Sequence, residues 1–322
     1  MSALISARVI DSQREHYKVL CEKGELPAKL KGSFYKNMNQ DQTVPVVGDH
    51  VMIQYNPMGV SLICEVLKRK SQFSRTDLSG HAAGYVKTMK EQVVAVNFDF
   101  VFIMISLNHD FNMNRIERYY SVALQSGATP VIILTKADQN EDYEKYGDEV
   151  VRFTGCKHTY AISAKTGFGL DALKPFFEEG KTLAFIGSSG VGKSTLLNVM
   201  AGEPLMKVNE IREEDSKGRH TTTHRQLIKL KSGAYVIDTP GMRELGLYDV
   251  SQGLSQAFED VEAWIDACKY SDCRHHKEPG CAVRQALDTK ALTQERWKLY
   301  QQLMVENAWG KSKLPLTKRP RR

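Results

Sequence analysis

The stretch "GSSGVGKST" at residues 187–195 constrains this chain more than any other. It fits G-x-x-x-x-G-K-[ST] without a mismatch, follows the apolar "TLAFI" and precedes the helix-forming "TLLNVMAG". A strand, a glycine-rich turn and a helix in that order make an anion nest at a helix N-terminus. Gly187, Gly190 and Gly192 free the backbone to curl around phosphate oxygens, with Ser188, Ser189, Val191 and Thr195 completing the loop. Lys193 supplies a point charge for the β- and γ-phosphates, and Ser194 a hydroxyl for Mg²⁺. Such a unit needs a mostly parallel sheet flanked by helices. Strands are predicted at 99–105, 129–135, 158–163, 182–188 and 234–239, and helices at 114–126 and 193–201.

"VIDTPG" (236–241) reads as the second half of the phosphate site. Asp238 would hold a Mg²⁺ water at a strand end, and Gly241 would offer a backbone N–H to the γ-phosphate. Between the two motifs runs "SKGRHTTTHRQ", with Lys217, Arg219, Arg225, Lys229 and Lys231 and no acid from 216 to 237. One of Thr221, Thr222 and Thr223 could bind Mg²⁺ when the γ-phosphate is present and release it afterwards. Met242, directly after D-x-x-G, cannot orient a water. His220 is the nearest substitute, with an exposed loop residue or an RNA contact as the alternative reading.

A base-reading loop normally lies downstream of the phosphate loop. Here "TKAD" (135–138) ends the apolar run "VIIL" about fifty residues upstream of it. Asp138 can accept hydrogen bonds from guanine N1–H and the N2 amine, a donor pair that adenine lacks. Lys136 can lay its stem over the base, and Thr135 and Ala137 shape the loop. "SAK" (Ser163, Ala164 and Lys165) can bring a hydroxyl and a backbone N–H to guanine O6. Ligands of open α/β sheets bind beyond the carboxyl ends of the strands, so the loops must converge in space and not in sequence. The order base loop, base loop, phosphate loop, switch, D-x-x-G describes a circularly permuted P-loop GTPase, read at 71–245. After "DTPG" the chain leads straight into the C-terminal region, so a nucleotide-dependent movement near Gly241 would reach residues 246–322.

Residues 1–70 carry five short strand patterns ("SARVIDS", "HYKVLCE", "ELPAKLKG", "DHVMIQY", "SLICEVL") broken by glycine and proline. They predict a small β-barrel, either OB-like or SH3-like. Ten basic and seven acidic residues, with Tyr17, Phe34, Tyr35 and Tyr55, suit it to nucleic acid. Residues 71–98, Gly-punctuated and weakly patterned, read as a linker or a flexible lead-in. From 246 the chain turns helical and ends in "KSKLPLTKRPRR", six basic residues without an acid, an electrostatic arm for a polyanion or a solubilising end.

Three of the six cysteines crowd into "CKYSDCRHHKEPGC", 268–281. No secretory signal pattern precedes the barrel, which favours a metal over disulfides and a cytosolic protein. Cys268, Cys273 and Cys281 with His275 or His276 form the closed tetrahedral donor set of structural zinc. The most apolar stretch, "FVFIMISL", is far too short for a bilayer span, so no membrane association is expected.

Together, the barrel, "TKAD", "SAK", "GSSGVGKST", "GRHTTT" and "DTPG" in permuted order, and C-x4-C-x-H-x5-C ending in "EPGCAV", resemble the small ribosomal subunit biogenesis GTPases, the RsgA (YjeQ) family. The resemblance spans essentially the whole chain. It implies an N-terminal OB-fold, a central α/β circularly permuted GTPase domain and a C-terminal α-helical zinc-binding domain at 246–322. It implies GTP or GDP with Mg²⁺, one structural Zn²⁺ on Cys268, Cys273, His275 and Cys281, His220 as the switch histidine and Thr222 as the Mg²⁺ threonine. It further implies a cytoplasmic factor, expected to be a monomer, that binds the immature small (30S) subunit and its rRNA and is stimulated by it. One residue departs from the family pattern: Thr135 stands where Asn is usual in Asn-Lys-x-Asp.

Overall fold

The computed structural model describes residues 4–13, 16–34, 44–77, 90–108, 111–205, 226–238 and 250–312. The first five strands are β1 Leu4–Gln13, β2 His16–Cys21, β3 Gly24–Leu30, β4 His50–Gln54 and β5 Ser61–Val66. They pair β1-β2-β3-β5-β4, and β4 returns to β1. The ladder therefore closes on itself. The β3–β5 pair is parallel and the others antiparallel, the Greek-key arrangement of an OB-like barrel and not an up-and-down meander. Alternation along β2 explains the closure: Tyr17 and Val19 point inward between exposed His16 and Lys18. With Val9, Val51, Ile53 and Ile63, all at 0% exposure, they fill the barrel.

Residues 71–98 are not simply a linker. Strands β6 Gln72–Asp77 and β7 Lys90–Val96 form an antiparallel ladder, with Phe73, Val94, Ala95 and Val96 buried and Phe73 stacked on Phe98 at 4.6 Å. The two halves pair across a long insertion, so neither shows the compact hairpin signal that would announce it.

The central sheet holds β8 Phe100–Ser106, β9 Thr129–Thr135, β10 Thr159–Ala161, β11 Thr182–Gly187, β12 Gln226–Lys229 and β13 Tyr235–Asp238. Its order is β10-β9-β8-β11-β13-β12, parallel except for β12. Helix α1 (Met113–Gln125) covers one face of the sheet. The 3-10 segment Leu170–Phe177 and α3 (Lys193–Ala201) cover the other. Ile103 and Ile105 of β8 pack into the α1 side, and Phe102 and Met104 into the α3 side, which explains an apolar run without polar alternation. The chain steps outward from β8 through β9 to β10, then returns to place β11 on the other flank of β8. That reversal makes the β8–β11 boundary the sheet's switch point, where a ligand crevice is expected.

The barrel joins the sheet through β1, which meets β12 at Asp11 and Gln226. Arg8 adds a hydrogen bond to Asn97 O at 2.9 Å and lies over the Tyr235 ring. The C-terminal helices are α4 Ser251–Ala257, α5 Glu259–Asp266, α6 Ala282–Asp288 and α7 Gln294–Ser312, after α2 Tyr143–Thr154 in the sheet region. Helix α4 lies against α1 so closely that a Cβ on Gly253 would stand 2.1 Å from Ser121 O. Beside it, Arg296 of α7 reaches Glu117 of α1 at 2.5 Å and Asp260 at 2.9 Å, and covers the Phe258 ring at 4.1 Å. Among the described residues no helix is long and apolar enough to cross a membrane.

Candidate nucleotide site and metal centre

Strand β11 ends at Gly187, where a Cβ would lie 2.4 Å from Met104 O on β8. Only glycine lets the loop leave this close to its neighbour. Gly190 (φ +72) and Gly192 (φ +102) turn the backbone through the left-handed region. Gly192 caps α3 without a side-chain hydrogen bond, so the helix N-terminus presents its N–H groups to an anion. Lys193 Nζ donates to Gly187 O at 2.7 Å and Ser188 O at 2.6 Å, holding the ammonium over the loop. Ser194 and Thr195 are half-buried in the first turn, Ser189 is exposed, and Val191 is buried.

The two base loops leave neighbouring parallel strands on the same side as Gly187. Thr135 closes β9 in register with Ser106 of β8, and Gly187 lies opposite Met104. Thr135 is buried, and its hydroxyl lies 2.8 Å from Val191 O and 3.3 Å from Ile105 O. A hydroxyl has one proton, so the shorter contact to Val191 takes it. One hydrogen bond therefore joins the base loop directly to the phosphate loop. Lys136 turns the chain at φ +60, Ala137 N–H donates to Ile162 O at 3.0 Å, and Asp138 is exposed on a 3-10 turn, Ala137–Gln139. Ser163 is buried just beyond β10, where its hydroxyl accepts from Thr166 N–H at 3.2 Å and its carbonyl from Gly167 N–H at 2.9 Å. Ala164 is half-buried and Lys165 exposed.

Asp238 ends β13, the parallel neighbour of β11, on the same edge. His220, Thr221, Thr222, Thr223 and Gly241 lie outside the described residues.

In the C-terminal region the donor atoms of Cys268, Cys273, His275 and Cys281 all lie within 4.8 Å of one another. His275 Nδ1 stands 3.6 Å from both Cys268 Sγ and Cys281 Sγ, and the two sulfurs are 4.0 Å apart. A zinc tetrahedron with its usual bond lengths needs about 3.8 Å between sulfurs and about 3.5 Å between sulfur and nitrogen. The donor set fits. Burial lowers the His275 imidazole, keeping the neutral, ligating form. Loss of solvation, with Cys281 and Cys268 alongside, pushes the Cys273 thiol up to about 11, a rise that a bound cation would oppose by favouring the thiolate. Cys281 also caps α6, accepting the Arg284 N–H at 3.5 Å. The intervening loop is ordered by Glu278, whose carboxylate accepts N–H groups of Arg274, His276 and Lys277 at 2.8–3.1 Å. Its own backbone N–H and those three hold its carboxyl down to about 2.

A sequence model of the RsgA GTPase family matches residues 66–248. The chain belongs to the RsgA GTPase family. A relative from Listeria monocytogenes serotype 4b, Small ribosomal subunit biogenesis GTPase RsgA 2, is 43% identical over 94% of this chain and 83% of its own length. Another of that name, from Lactiplantibacillus plantarum, is 41% identical over 95% of this chain and 84% of its own. Among solved structures, YjeQ from Thermotoga maritima superposes with a TM-score of 0.70 at 27% identity, covering 95% of this chain and 99% of that one. YloQ, described as a circularly permuted GTPase, has the same fold (TM-score 0.67, 24% identity, 98% of each chain).

Two residues of this RsgA-family chain escape motif reading. Asn140 pins the base loop by donating from Nδ2 to Leu107 O at 3.0 Å, and Glu278 organises the metal loop. Each stands just outside or within a recognised motif, an Asn two residues after T-K-x-D and an acid ahead of Pro-Gly. Those positions were signals for loop order, although not for chemistry.

Proposed function

We propose that this chain hydrolyses GTP to GDP and phosphate with Mg²⁺ and serves as a late maturation factor of the small ribosomal subunit. The observation that carries the reading is the Thr135–Val191 hydrogen bond, which ties the "TKAD" loop to the phosphate loop on one edge of one parallel sheet. In this reading the backbone of residues 187–195, with Gly241, holds the phosphates. Lys193 exchanges the Gly187 and Ser188 carbonyls for phosphate oxygens, where its charge offsets that developing in the transition state. Asp138 selects guanine through N1–H and the N2 amine. Lys136, Ala137, Ser163, Ala164 and Lys165 frame the base. Ser194, Thr222 and Asp238 would hold Mg²⁺, which would supply positive charge to the phosphates, and His220 would orient the attacking water. Cys268, Cys273, His275 and Cys281 hold one structural Zn²⁺ that staples the short helices α5 and α6.

Relatives at 41–43% identity are named for small-subunit biogenesis, and that partner carries over here as a proposal. The barrel and the basic C-terminal tail would engage rRNA phosphates, as a monomer in the cytoplasm, with affinity falling steeply as salt rises. The test is GTP hydrolysis with and without small subunits over a salt series. Stimulation at low salt that fades with added salt is expected. No stimulation at low salt overturns the ribosomal reading.

A further inference from the structure

Strand β8 ends in a serine that none of the motifs includes. Ser106 is 2% exposed, and among the described residues its hydroxyl has no hydrogen-bond partner. A buried polar group left unpaired is costly, and native chains keep few of them without a reason. Its position supplies one. Ser106 lies in register with Thr135 on the adjacent parallel strand. Along β8, Phe102 and Met104 face the α3 side, so two residues further on Ser106 faces it too. Along β9, Val131 and Ile133 face the same side, and so does Thr135, whose hydroxyl meets Val191 O of the phosphate loop. Two hydroxyls thus stand side by side on neighbouring strands, β8 and β9, of which β8 borders the sheet's switch point, beneath the junction of the base and phosphate loops. Having given its proton to Val191 O, Thr135 keeps lone pairs free to accept.

We propose that Ser106 is a positioning residue of the guanine-nucleotide site, its hydroxyl closing onto Thr135 Oγ1 when nucleotide draws the base loop and the phosphate loop together. Resting on the guanine-nucleotide reading above, the relay runs Ser106 Oγ–H to Thr135 Oγ1, and Thr135 Oγ1–H to Val191 O. Each bond polarises the next, so the pair fixes the distance between loops more firmly than Thr135 alone. A serine beside Thr135 thereby supplies hydrogen-bonding capacity that a single hydroxyl lacks.

Valine and threonine have nearly the same shape, so Ser106→Val and Ser106→Thr separate the hydroxyl from side-chain volume. The purified full-length protein and both variants would be titrated with fluorescent GDP and with ADP, and assayed for GTP hydrolysis. For Ser106→Val the expectation is a GDP Kd raised about five- to tenfold. KM should rise with kcat at saturating GTP unchanged, and the melting temperature of the nucleotide-free protein should be unchanged or higher. Ser106→Thr should bind GDP like wild type. Combined with Thr135→Val, Ser106→Val should add little, because the two hydroxyls act as one unit. Wild-type affinity in Ser106→Val, or equal weakening in the Val and Thr variants, overturns the relay. Failure of the wild-type protein to prefer GDP over ADP would instead overturn the underlying guanine reading, whatever the variants do.

Discussion

The candidate metal centre and the proposed nucleotide site are built in opposite ways. All four candidate metal donors come from one short segment, Cys268 to Cys281, held by local turns, the Glu278 carboxylate and the start of α6. The proposed nucleotide site draws on residues from Thr135 to Asp238, and only the strand order β10-β9-β8-β11-β13 brings them to one edge. A local site can be cut out of a fold without disturbing the rest. A distributed site cannot, because its geometry is the sheet itself. Circular permutation is harmless to the second for the same reason: it alters the sequence order of the strands and leaves their spatial order intact.

The contrast can be broken most forcefully at the metal. Stripping the proposed zinc with a chelator, or replacing Cys281 by Ser, should remove about 10 kcal/mol of binding energy from a small helical region. Hydrogen exchange should rise sharply across 259–292 while GDP binding changes little. If GDP binding collapses as well, the two sites are not independent. Next, Lys193→Ala should cut GTP hydrolysis by about 10²- to 10³-fold without releasing zinc, measured by single-turnover rates beside a metal assay.

The junction between the two units gives a smaller, pH-dependent effect. Burial pushes the Glu117 carboxyl up to about 7 even though Arg296 opposes the rise. The unfolded chain releases this proton near 4.5, so it carries fewer protons than the folded chain between those values. The contribution is therefore fully present below about pH 4.5 and is lost as pH rises to about 7, a change on the order of 3 kcal/mol. Glu117→Gln should flatten that slope in denaturant melts over the interval. The smallest effect is at Thr135. Replacement by Val leaves Val191 O without its partner and should weaken GDP about tenfold. Thr135→Asn, which restores the usual family residue, should hold or improve affinity.

Much of this was legible in the residues because both sites use types that do little else at such spacing. The phosphate loop, T-K-x-D and the cysteine cluster each announced a chemistry, and the five barrel strands followed from alternation and turn residues. What escaped was long-range pairing. Strands β6 and β7 meet across an insertion, and no local pattern states that Phe73 will pack on Phe98. Arg296 and Glu117 are far apart in sequence, and a charged pair buried between helices looks like two ordinary surface residues. Thr135 read as a departure from pattern. Only the fold shows its hydroxyl on the phosphate loop, with Ser106 beside it.

The central claim is that Asp138 and Lys193 serve one guanine nucleotide. Guanine carries an amine at C2 where xanthine carries a carbonyl, so Asp138→Asn should trade an acceptor for a donor and exchange the two bases. The direct measurement is the ratio of GDP to XDP affinity in wild type and in Asp138→Asn. The account predicts a reversal, with GDP weakened by at least about 10²-fold and XDP gained. It also predicts that Lys193→Ala in the same background weakens XDP. An unchanged ratio would place Asp138 outside the site and contradict the claim.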